Sequence, residues 1–510
     1  MKPLFLQPFF NLYIRSSNFR FMQRFLQLMV ICSLLSGNLF AQFERMDSAS
    51  LDTIEQFIRD QKAAEKIVGL SVGIIRNGEV VLLKGYGYRD SINQLKADEY
   101  TLYRLASISK TITGLMAMRL VEKGKLDLNK DIRDYVPEYP AKPEGTITSE
   151  DLLSNESGVI HYSGMGSGQY CQDNYDRTAR DNYIAGHKNS YDPIAAMDIF
   201  KNQKICFKPG EHYQYTTWGF CLMGAVLQRA AGKAYEKVMA DEVKCALDLP
   251  YLQIEYQDKR PYTNETKGYE IDGSGNVIPA STTSTDFKDV SYKTPGGGMI
   301  SSVIDLTLLM KGIVNREFIT DSTVKLFGTR HVPRDGKKSY YGYGTSTNAR
   351  NGDTLYWHSG SQAKTATIIY YSPENKNGVT IMANTYKAGL FPLARLIYDY
   401  LPNVKIEGSV YQPLPAIPEW CTSSVSEYGN SSQIRIYPNP ANNELNLEYN
   451  PKMGAKKLLV FDAQGRKIEQ FALNGSGKDY ILTDIPNGIY YIQIQGTDNY
   501  SSMQKLVIQH

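Results

Sequence analysis

The sequence Ser107-Ile108-Ser109-Lys110 opens a predicted helix that runs to Glu122, and the interpretation of the whole chain starts from it. Residues three apart share one face of a helix, so Ser107 and Lys110 are expected to touch. A serine hydroxyl becomes a nucleophile when a base takes its proton, and a lysine can be that base if burial or a neighbouring cation lowers its pKa. By itself, the S-x-x-K pattern is weak, because it is more often a capping serine followed by a surface lysine.

Two later stretches carry polar groups that fit the same chemistry. Tyr215-Thr216-Thr217 follows Pro209-Gly210 and precedes a predicted helix. His358-Ser359-Gly360-Ser361 precedes a predicted strand. The order S-x-x-K, then Tyr-x-(Asn or Thr), then (Lys or His)-(Ser or Thr)-Gly resembles the three-motif pattern of penicillin-recognising serine enzymes. Three patterns in this order are far more specific than any one of them.

Stretches that flank the motifs resemble the same family, which includes class C β-lactamases, D-alanyl-D-alanine carboxypeptidases and related esterases. They are Leu120–Pro137, Leu152–Gly158 and Pro295–Ser302, and the resemblance spans roughly residues 50–400. It implies an α/β (α+β) fold, in which a β-lactamase-like antiparallel sheet is flanked by helices and accompanied by a helical subdomain. We assign residues 42–408 to this hydrolase domain.

The resemblance also implies a role for each motif residue. Ser107 attacks the substrate and is acylated, and Lys110 takes or shares its proton. Tyr215 passes a proton to the leaving group, which requires nearby cations to lower its pKa well below the usual value of about 10. The backbone N–H groups of Ser107 and Ser361 form an oxyanion hole. The other implied substrate-binding residues are Thr217, His358, Ser359 and Gly360.

The residues themselves leave other interpretations open. A packed core tyrosine is the alternative for Tyr215, and a structural histidine beside Trp357 is the alternative for His358. Gly69–Gly73 also fits the G-x-S-x-G pattern of other hydrolases, but a predicted hairpin follows it, so we expect Ser71 to be a strand residue. For the whole domain, the alternative is a non-catalytic penicillin-binding-like or peptidoglycan-fragment-binding protein.

Three departures from the family pattern bear on the substrate. Thr217 stands where the family usually has Asn, and a hydroxyl offers fewer contacts to a substrate amide. His358 stands in place of Lys, and a neutral imidazole binds a carboxylate more weakly. The Gly-rich turn often found after the third motif is replaced by Gln362-Ala363-Lys364. Among a small ester, a D-amino-acid peptide and a β-lactam-like amide, we therefore expect esterase or carboxypeptidase-like activity to exceed β-lactamase activity.

The composition changes after the hydrolase domain. Residues 409–432 contain several prolines and a serine-rich run, which is typical of a linker. Residues 433–510 alternate short strands and turns, the pattern of a small C-terminal β-sandwich. Tyr437–Ala441 and Gly488–Ile492 resemble the C-terminal sorting domain of type IX secretion in Bacteroidota. The resemblance implies the secretion machinery as a partner, and a carbohydrate-binding β-sandwich is the alternative.

The first 41 residues have the order of a secretory signal peptide. Met22 is the expected start of a short basic region, Phe25–Leu35 is apolar, and Ala41 offers a cleavage site. The apolar run is shorter than the ~20 residues of a spanning helix, and bulky Ile31 disfavours a lipoprotein anchored at Cys32. We therefore expect export through the periplasm to the surface or medium of a Gram-negative cell, with no membrane span in the mature chain.

The overall composition excludes several classes of function. A net charge of +3 over 510 residues gives no reason to expect a nucleic-acid partner. The six histidines show no metal-ligand spacing, and we predict neither a metal nor a cofactor. Residues 161–200 have little periodicity and are predicted to be a long loop of undetermined role. After signal removal an odd number of cysteines remains, with their pairing open: Cys171, Cys206, Cys221, Cys245 and Cys421.

Overall fold

A computed structural model describes residues 39–162, 175–256, 262–280, 289–337, 339–414, 421, 435–437, 444–448, 456–461, 467–476, 478–482, 484–495 and 504–508. The chain divides into two compact units, Met1–Ala416 and Ile417–His510. In the described part of the chain, no helix is long and apolar enough to cross a membrane.

Helices and strands are interspersed throughout the first unit. The α-helices among its described residues are α1 (Ser48–Ala64), α2 (Ile108–Glu122), α3 (Ser149–Leu153), α4 (Arg177–Gly186), α5 (Pro193–Ala196), α6 (Thr217–Ala231), α7 (Tyr235–Met239), α8 (Thr294–Gly297), α9 (Val303–Val314), α10 (Asp321–Phe327) and α11 (Phe391–Tyr400). The strands are β1 (Leu39–Met46), β2 (Gly69–Arg76), β3 (Glu79–Asp90), β4 (Leu95–Lys96), β5 (Tyr103–Arg104), β6 (Gln253–Ile254), β7 (Tyr269–Ile271), β8 (Val277–Pro279), β9 (Met299–Ser301), β10 (Ser346–Arg350), β11 (Asp353–Gln362), β12 (Thr365–Ser372), β13 (Asn377–Ala383) and β14 (Ile406–Leu414).

An antiparallel sheet with the strand order β10-β11-β12-β13-β2-β3-β4 forms the centre of the first unit. Strands β2 and β3 are joined by Asn77 and Gly78, whose φ angles are 52° and 84°. A two-residue hairpin turn with positive φ at both positions matches the twist of the strands it joins. The hairpin that the sequence predicts after Gly69–Gly73 is therefore confirmed.

Helices cover both faces of the sheet. On one face, α1 and α11 pack against alternate residues of β2, β12 and β13; Ile54, Val72 and Ile397 belong to this cluster. On the other face, α9 packs against the sheet and joins a larger core that includes α2 and α6. Strand β12 is buried along its whole length because it lies between these layers. The α+β architecture expected from the sequence is confirmed.

Helix α2 lies inside the larger core. Of its residues, only Arg119, Val121 and Glu122 are not buried. A helix with small or apolar side chains on every face is stable only when protein surrounds it. Gly114 permits the closest approach, since a β-carbon at this position would lie 2.0 Å from the carbonyl oxygen of Tyr343. The position of Ser107 and Lys110 is therefore fixed by core packing.

A two-stranded ribbon changes the boundary expected for the linker. Strand β14 pairs antiparallel with β1, so residues 409–414 are a strand and not a linker, which corrects the composition-based boundary. Pro413 is tolerated because proline, which lacks an N–H, is confined to edge positions of sheets, and this ribbon has only two strands. The expected cleavage after Ala41 falls within β1, and residues 1–38 lie outside the described residues.

The described part of the segment 161–200 contains α4 and the short α5, which the sequence did not indicate. Asp176 is the N-cap of α4, and its side chain accepts a hydrogen bond from the Ala179 N–H. Tyr183 is its only buried residue, so α4 contributes little to the core. The prediction of a continuous loop was therefore wrong for these residues, whereas residues 163–174 lie outside the described part of the chain.

The second unit consists of two small antiparallel sheets. Their strands are β15 (Arg435–Tyr437), β16 (Glu444–Glu448), β17 (Lys457–Phe461), β18 (Lys467–Ala472), β19 (Lys478–Leu482), β20 (Gly488–Gln495) and β21 (Gln504–Ile508), in the orders β15-β16-β19 and β18-β17-β20-β21. Leu447 of one sheet and Val460 and Ile492 of the other belong to one buried cluster. This two-sheet arrangement agrees with the predicted β-sandwich.

The cysteines fall into two groups. Cys206, Cys245 and Cys421 are disulfide-bonded, whereas Cys221 is a buried free thiol on α6. Cys171 lies outside the described residues. An unpaired thiol agrees with the odd number of cysteines that is expected if Cys32 is removed with a signal peptide.

The packing of α2 gives a stability test. Gly114→Ala is expected to lower the free energy of unfolding by about 2 kcal/mol, because the added methyl group meets a backbone carbonyl that cannot move aside. Gly186→Ala is the matched control, since a β-carbon there meets no atom within 4 Å, and its effect is expected within about 0.5 kcal/mol. Urea unfolding followed by circular dichroism measures both. Equal midpoints for the two variants would contradict the packing argument.

Candidate active site

The backbone that leads into Ser107 is held from two sides. The Leu105 N–H donates to the Met299 carbonyl oxygen at 2.8 Å, and the Thr367 hydroxyl donates to the Leu105 carbonyl oxygen at 3.0 Å. Ala106 has a φ of 48°, a left-handed conformation that is strained for a residue with a β-carbon. Ser107 is the N-cap of α2, but its side chain makes no capping hydrogen bond. Its hydroxyl is therefore available to other partners, unlike that of an ordinary capping serine.

Lys110 is the first of these partners. Its side chain is fully buried, and its amine nitrogen lies 3.4 Å from the Ser107 Oγ. The same nitrogen lies 2.6 Å from the Gly296 carbonyl oxygen and 3.2 Å from the Thr217 Oγ1. The structure thus brings together the first motif, the second motif and the Gly-rich stretch after Pro295 around one amine.

The surroundings of Lys110 disfavour its charged form. Removal from water is the largest effect, and the nearby Lys293 acts in the same direction, so that the pKa of Lys110 falls to about 7. The Cys221 thiol opposes this shift. A substantial fraction of Lys110 is therefore neutral near pH 7, which is the state that a general base requires.

Tyr215 hydrogen-bonds to Ser107, and the Lys110 amine lies 4.6 Å from its ring centroid. Burial nevertheless raises the pKa of Tyr215 well above its usual value of 10, and the hydrogen bond with Ser107 offsets only part of this rise. The expectation of a lowered pKa was therefore wrong. One neighbouring amine with a depressed pKa of its own does not outweigh the loss of hydration, and Tyr215 is a neutral phenol.

Strand β11 presents an open backbone edge. Its pairing with β10 ends at Trp357, and among the described residues no strand pairs with the rest of β11 on that side. In antiparallel strands, alternate residues direct both backbone groups to the same neighbour. Because Asp353 closes the two-residue turn to β10, the odd-numbered residues bond toward that side. The N–H groups of Ser359 and Ser361 therefore point to the open edge, and both side chains are exposed.

Gly360 brings this edge against the nucleophile turn. Its α-carbon faces inward, where a β-carbon would lie 2.3 Å from the Leu105 carbonyl oxygen and 2.4 Å from the Thr367 Oγ1. Any larger residue would push β11 away from the residues that precede Ser107. The glycine of the third motif thus has a steric explanation.

The turn after the third motif holds its shape without glycine. Lys364 occupies its second position with a φ of 79°, a conformation that usually selects glycine. The Arg104 Nη1 donates to the Ala363 carbonyl oxygen at 3.3 Å. Arg104 is in turn held by two 2.7 Å hydrogen bonds to the buried Glu255 carboxylate. This ion pair therefore holds the Gln362–Thr365 turn, which replaces the Gly-rich turn of the family.

His358 does not face substrate as the third-motif pattern implied. It is buried, its Nδ1 donates to the Ser359 carbonyl oxygen at 2.8 Å, and its Nε2 accepts from the Tyr341 hydroxyl at 2.8 Å. Burial lowers its pKa to about 3, so the ring is neutral. Both ring nitrogens are occupied by protein groups. The structural alternative for His358 describes this geometry better than a substrate-binding role.

Several residues at the site were missed by sequence reasoning. The Thr217 N–H donates to the His161 Nδ1 at 3.1 Å, and the Thr217 hydroxyl donates to the Tyr162 hydroxyl oxygen at 3.3 Å. The buried Lys293 places its amine 4.9 Å from the Tyr162 ring centroid. His161 and Tyr162 lie shortly after Leu152–Gly158 in the chain. This proximity to a stretch that resembles the family is the one feature of the sequence that pointed to them.

The rival nucleophile Ser71 lies elsewhere. It is buried in β2, where its hydroxyl donates to the Asp98 carbonyl oxygen at 2.7 Å and shares a 3.0 Å hydrogen bond with the Tyr103 hydroxyl. This geometry confirms the expectation of a strand residue. Within the residues that the structure describes, no group of histidine, cysteine and carboxylate side chains is arranged to hold a metal ion.

Helices on both faces of an antiparallel sheet, with a buried amine beside the serine at the start of α2, are typical of the serine-hydrolase class. The chain belongs to the Beta-lactamase family, because its residues 54–400 match the sequence model of that family. Residues 435–509 match the secretion system C-terminal sorting domain, which indicates type IX secretion to the cell surface or the medium.

Relatives of known sequence and structure agree with this assignment. Protein flp of Staphylococcus aureus (strain MRSA252) is 26% identical over 343 residues, which are 67% of this chain and 64% of that protein. The octameric penicillin-binding protein homologue from Pyrococcus abyssi has a TM-score of 0.56 at 19% identity, covering 90% of this chain and 96% of its own. The hydrolase EstCE1 has a TM-score of 0.56 at 22% identity, covering 69% and 98%. At these identities the two structures show the fold alone.

The contacts of His358 predict an unusual titration. A second ring proton on Nε2 would face the Tyr341 hydroxyl, which already points its proton at that atom, inside a buried site. The NMR shift of the His358 ring protons, assigned with His358→Gln, is therefore expected to stay constant between pH 5 and pH 8. A titration midpoint near the usual ~6.5 would show that the ring is hydrated and open to substrate.

Proposed function

We propose that this chain is an exported serine hydrolase that works through an acyl-enzyme, with Ser107 as the nucleophile and Lys110 as its base. The observation that carries the proposal is the buried Lys110 amine 3.4 Å from the Ser107 Oγ, in surroundings that lower its pKa to about 7. A surface lysine with an ordinary pKa would be almost fully protonated at neutral pH and could not take a proton.

The hydrogen-bond partners of Lys110 leave one position for the serine proton. A neutral amine has two N–H groups and one lone pair. The Gly296 carbonyl oxygen and the Thr217 Oγ1 accept the two N–H groups. The lone pair is then directed to the Ser107 Oγ, which is the third neighbour of the nitrogen.

Acylation can be written with every proton accounted for. The Ser107 Oγ bonds to the substrate carbonyl carbon while its proton moves to Lys110. The N–H groups of Ser107 and Ser361 hold the developing oxyanion. Tyr215, a neutral phenol, gives its proton to the leaving group, and the Lys110 ammonium restores that proton. The acyl-Ser107 intermediate is then hydrolysed by water through the same groups in reverse order.

The alternative is a non-catalytic binding protein. Burial of a lysine amine is unfavourable because it disfavours the charged form. A binding protein that does not use the neutral amine would gain nothing from this burial. The three contacts of Lys110 and the hydrogen bond between Tyr215 and Ser107 favour the enzyme.

The surroundings of the third motif support a substrate without a strongly bound carboxylate. His358 is neutral and committed to Tyr341 and Ser359, so it offers no cation at the position where the family usually has Lys. Small esters and D-amino-acid derivatives depend less on such a cation than β-lactams do. The relative EstCE1 is described as a hydrolase with promiscuous acyltransferase activity, which favours acyl transfer from simple esters.

The first test is covalent labelling of the full chain with a fluorophosphonate. Intact mass is expected to show one adduct, and peptide mapping is expected to place it on Ser107. Ser107→Ala should abolish labelling and hydrolysis, whereas Ser109→Ala, which removes a buried hydroxyl next to the site, should keep both. An adduct on Ser71 or Ser109 would refute the proposed nucleophile.

Substrate preference is tested by kcat/KM for nitrocefin, p-nitrophenyl acetate and a D-alanyl-D-alanine peptide measured side by side. We expect the ester to be hydrolysed more readily than nitrocefin, whose turnover should be slow, because the neutral His358 does not anchor its carboxylate. A wide margin in favour of nitrocefin would overturn this preference and leave the nucleophile unaffected.

Export is tested by deletion of residues 434–510. We propose that a signal peptide within residues 1–41 carries the chain to the periplasm and that the sorting domain carries it across the outer membrane. The truncated enzyme is expected to keep its hydrolase activity after purification and to accumulate in the periplasm of the native host. Delivery of the truncated protein to the medium at the level of the full chain would contradict the role of the tail.

A further inference from the structure

The side chain of Tyr162 is linked to the proposed base through Thr217. The Lys110 amine donates to the Thr217 Oγ1 at 3.2 Å, and the Thr217 hydroxyl donates in turn to the Tyr162 hydroxyl oxygen at 3.3 Å. Two hydrogen bonds therefore separate Tyr162 from an amine that contacts the nucleophile. Neither motif counting nor residue spacing had assigned a function to Tyr162.

The direction of these two hydrogen bonds leaves the Tyr162 hydroxyl with a proton that it can donate. Because Lys110 donates to Thr217, the Thr217 proton is directed to Tyr162, and the Tyr162 O–H must be donated elsewhere. Among the described residues, no acceptor is found for this proton. Tyr162 is only partly buried, so its hydroxyl remains within reach of a bound molecule.

The ring of Tyr162 is held in place on several sides. The His161 ring centroid lies 4.2 Å away, the Trp218 ring packs edge-on at 5.9 Å, and the Lys293 amine lies 4.9 Å from the ring centroid. His161 is itself fixed by the hydrogen bond from the Thr217 N–H. A hydroxyl on a ring packed in this way is preorganised and loses little entropy when it binds a ligand.

The residue exchange at Thr217 gives this hydroxyl a function. Where the family usually has Asn, one side chain offers substrate both a donor and an acceptor. Thr217 uses its acceptor for Lys110 and its donor for Tyr162. The hydrogen-bond donor that a substrate would meet at this position is therefore the Tyr162 hydroxyl and not the side chain of the second motif.

We propose that Tyr162 is a specificity-determining residue that donates a hydrogen bond to an acceptor oxygen on the acyl part of the substrate. The inference rests on the proposed hydrolase function. It names the favoured class as acyl groups that carry a further carbonyl oxygen, such as N-acylated amino-acid esters. An amino-acid ester with a free ammonium offers only donors there and leaves the Tyr162 proton unsatisfied, which is how a polar site rejects an analogue.

The test compares the methyl esters of N-acetyl-D-alanine and D-alanine, with p-nitrophenyl acetate as a reference that lacks the second carbonyl. The wild-type chain is expected to show a kcat/KM about tenfold higher for the N-acetyl ester than for the free amine. Tyr162→Phe keeps the ring and removes the hydroxyl. It should reduce this ratio to about one, mainly by raising KM for the N-acetyl ester, as expected for the loss of one hydrogen bond.

Tyr175→Phe is the matched control. The Tyr175 ring also packs on Trp218, at 5.5 Å, but its hydroxyl accepts from Arg180 and not from Thr217. This variant should keep the wild-type ratio. An unchanged ratio in Tyr162→Phe, or an equal loss on all three esters, would overturn the specificity role while Ser107-dependent turnover persists. Absence of turnover in the wild type, or turnover that survives Ser107→Ala, would overturn the proposed function and this inference with it.

Discussion

Burial of the Lys110 amine is the constraint on which the rest of the site depends. An ammonium in the core is costly, so the surroundings either neutralise the amine or supply partners for its protons. Here they do both, since the pKa falls to about 7 and the Gly296 carbonyl oxygen and the Thr217 hydroxyl take two N–H groups. The third neighbour of the nitrogen is the Ser107 hydroxyl. The requirement to satisfy one buried amine thus brings three distant stretches of the chain to the same point.

The core is arranged to keep this amine in place. Helix α2 is enclosed on nearly every face, Gly114 and Gly360 permit close backbone contacts, and the strained Ala106 starts the helix at the serine. Burial keeps aromatic side chains around the site neutral, because it raises the pKa of Tyr215 and lowers that of His358. His358 illustrates this role, because its ring links the Tyr341 hydroxyl to the backbone of β11.

Much of this architecture could be predicted from the sequence, because hydrophobic periodicity and turn residues fixed the Asn77-Gly78 hairpin, helices α2 and α6, and the strands of the tail. The motif order also brought Ser107, Lys110 and Tyr215 to one site. Predictions failed where local pattern carries little information. The pKa of Tyr215 and the orientation of His358 depend on burial by distant residues. Helix α4 has a single buried residue, and β14 contains a proline in a ribbon formed with residues nearly 370 positions earlier.

The measurement that tests this account most directly is the pH dependence of the first-order labelling rate of Ser107 by a fluorophosphonate under saturating conditions. Because the folded pKa of Lys110 is lowered, its neutral form is gained as pH rises, and the rate should increase through a single ionisation near pH 7 and level off above pH 8. Lys110→Arg, which cannot deprotonate in this range, should remove that ionisation along with most of the rate. A rate that keeps rising to pH 10, or one that is equally high and pH-independent in Lys110→Arg, would show that Lys110 is not the base.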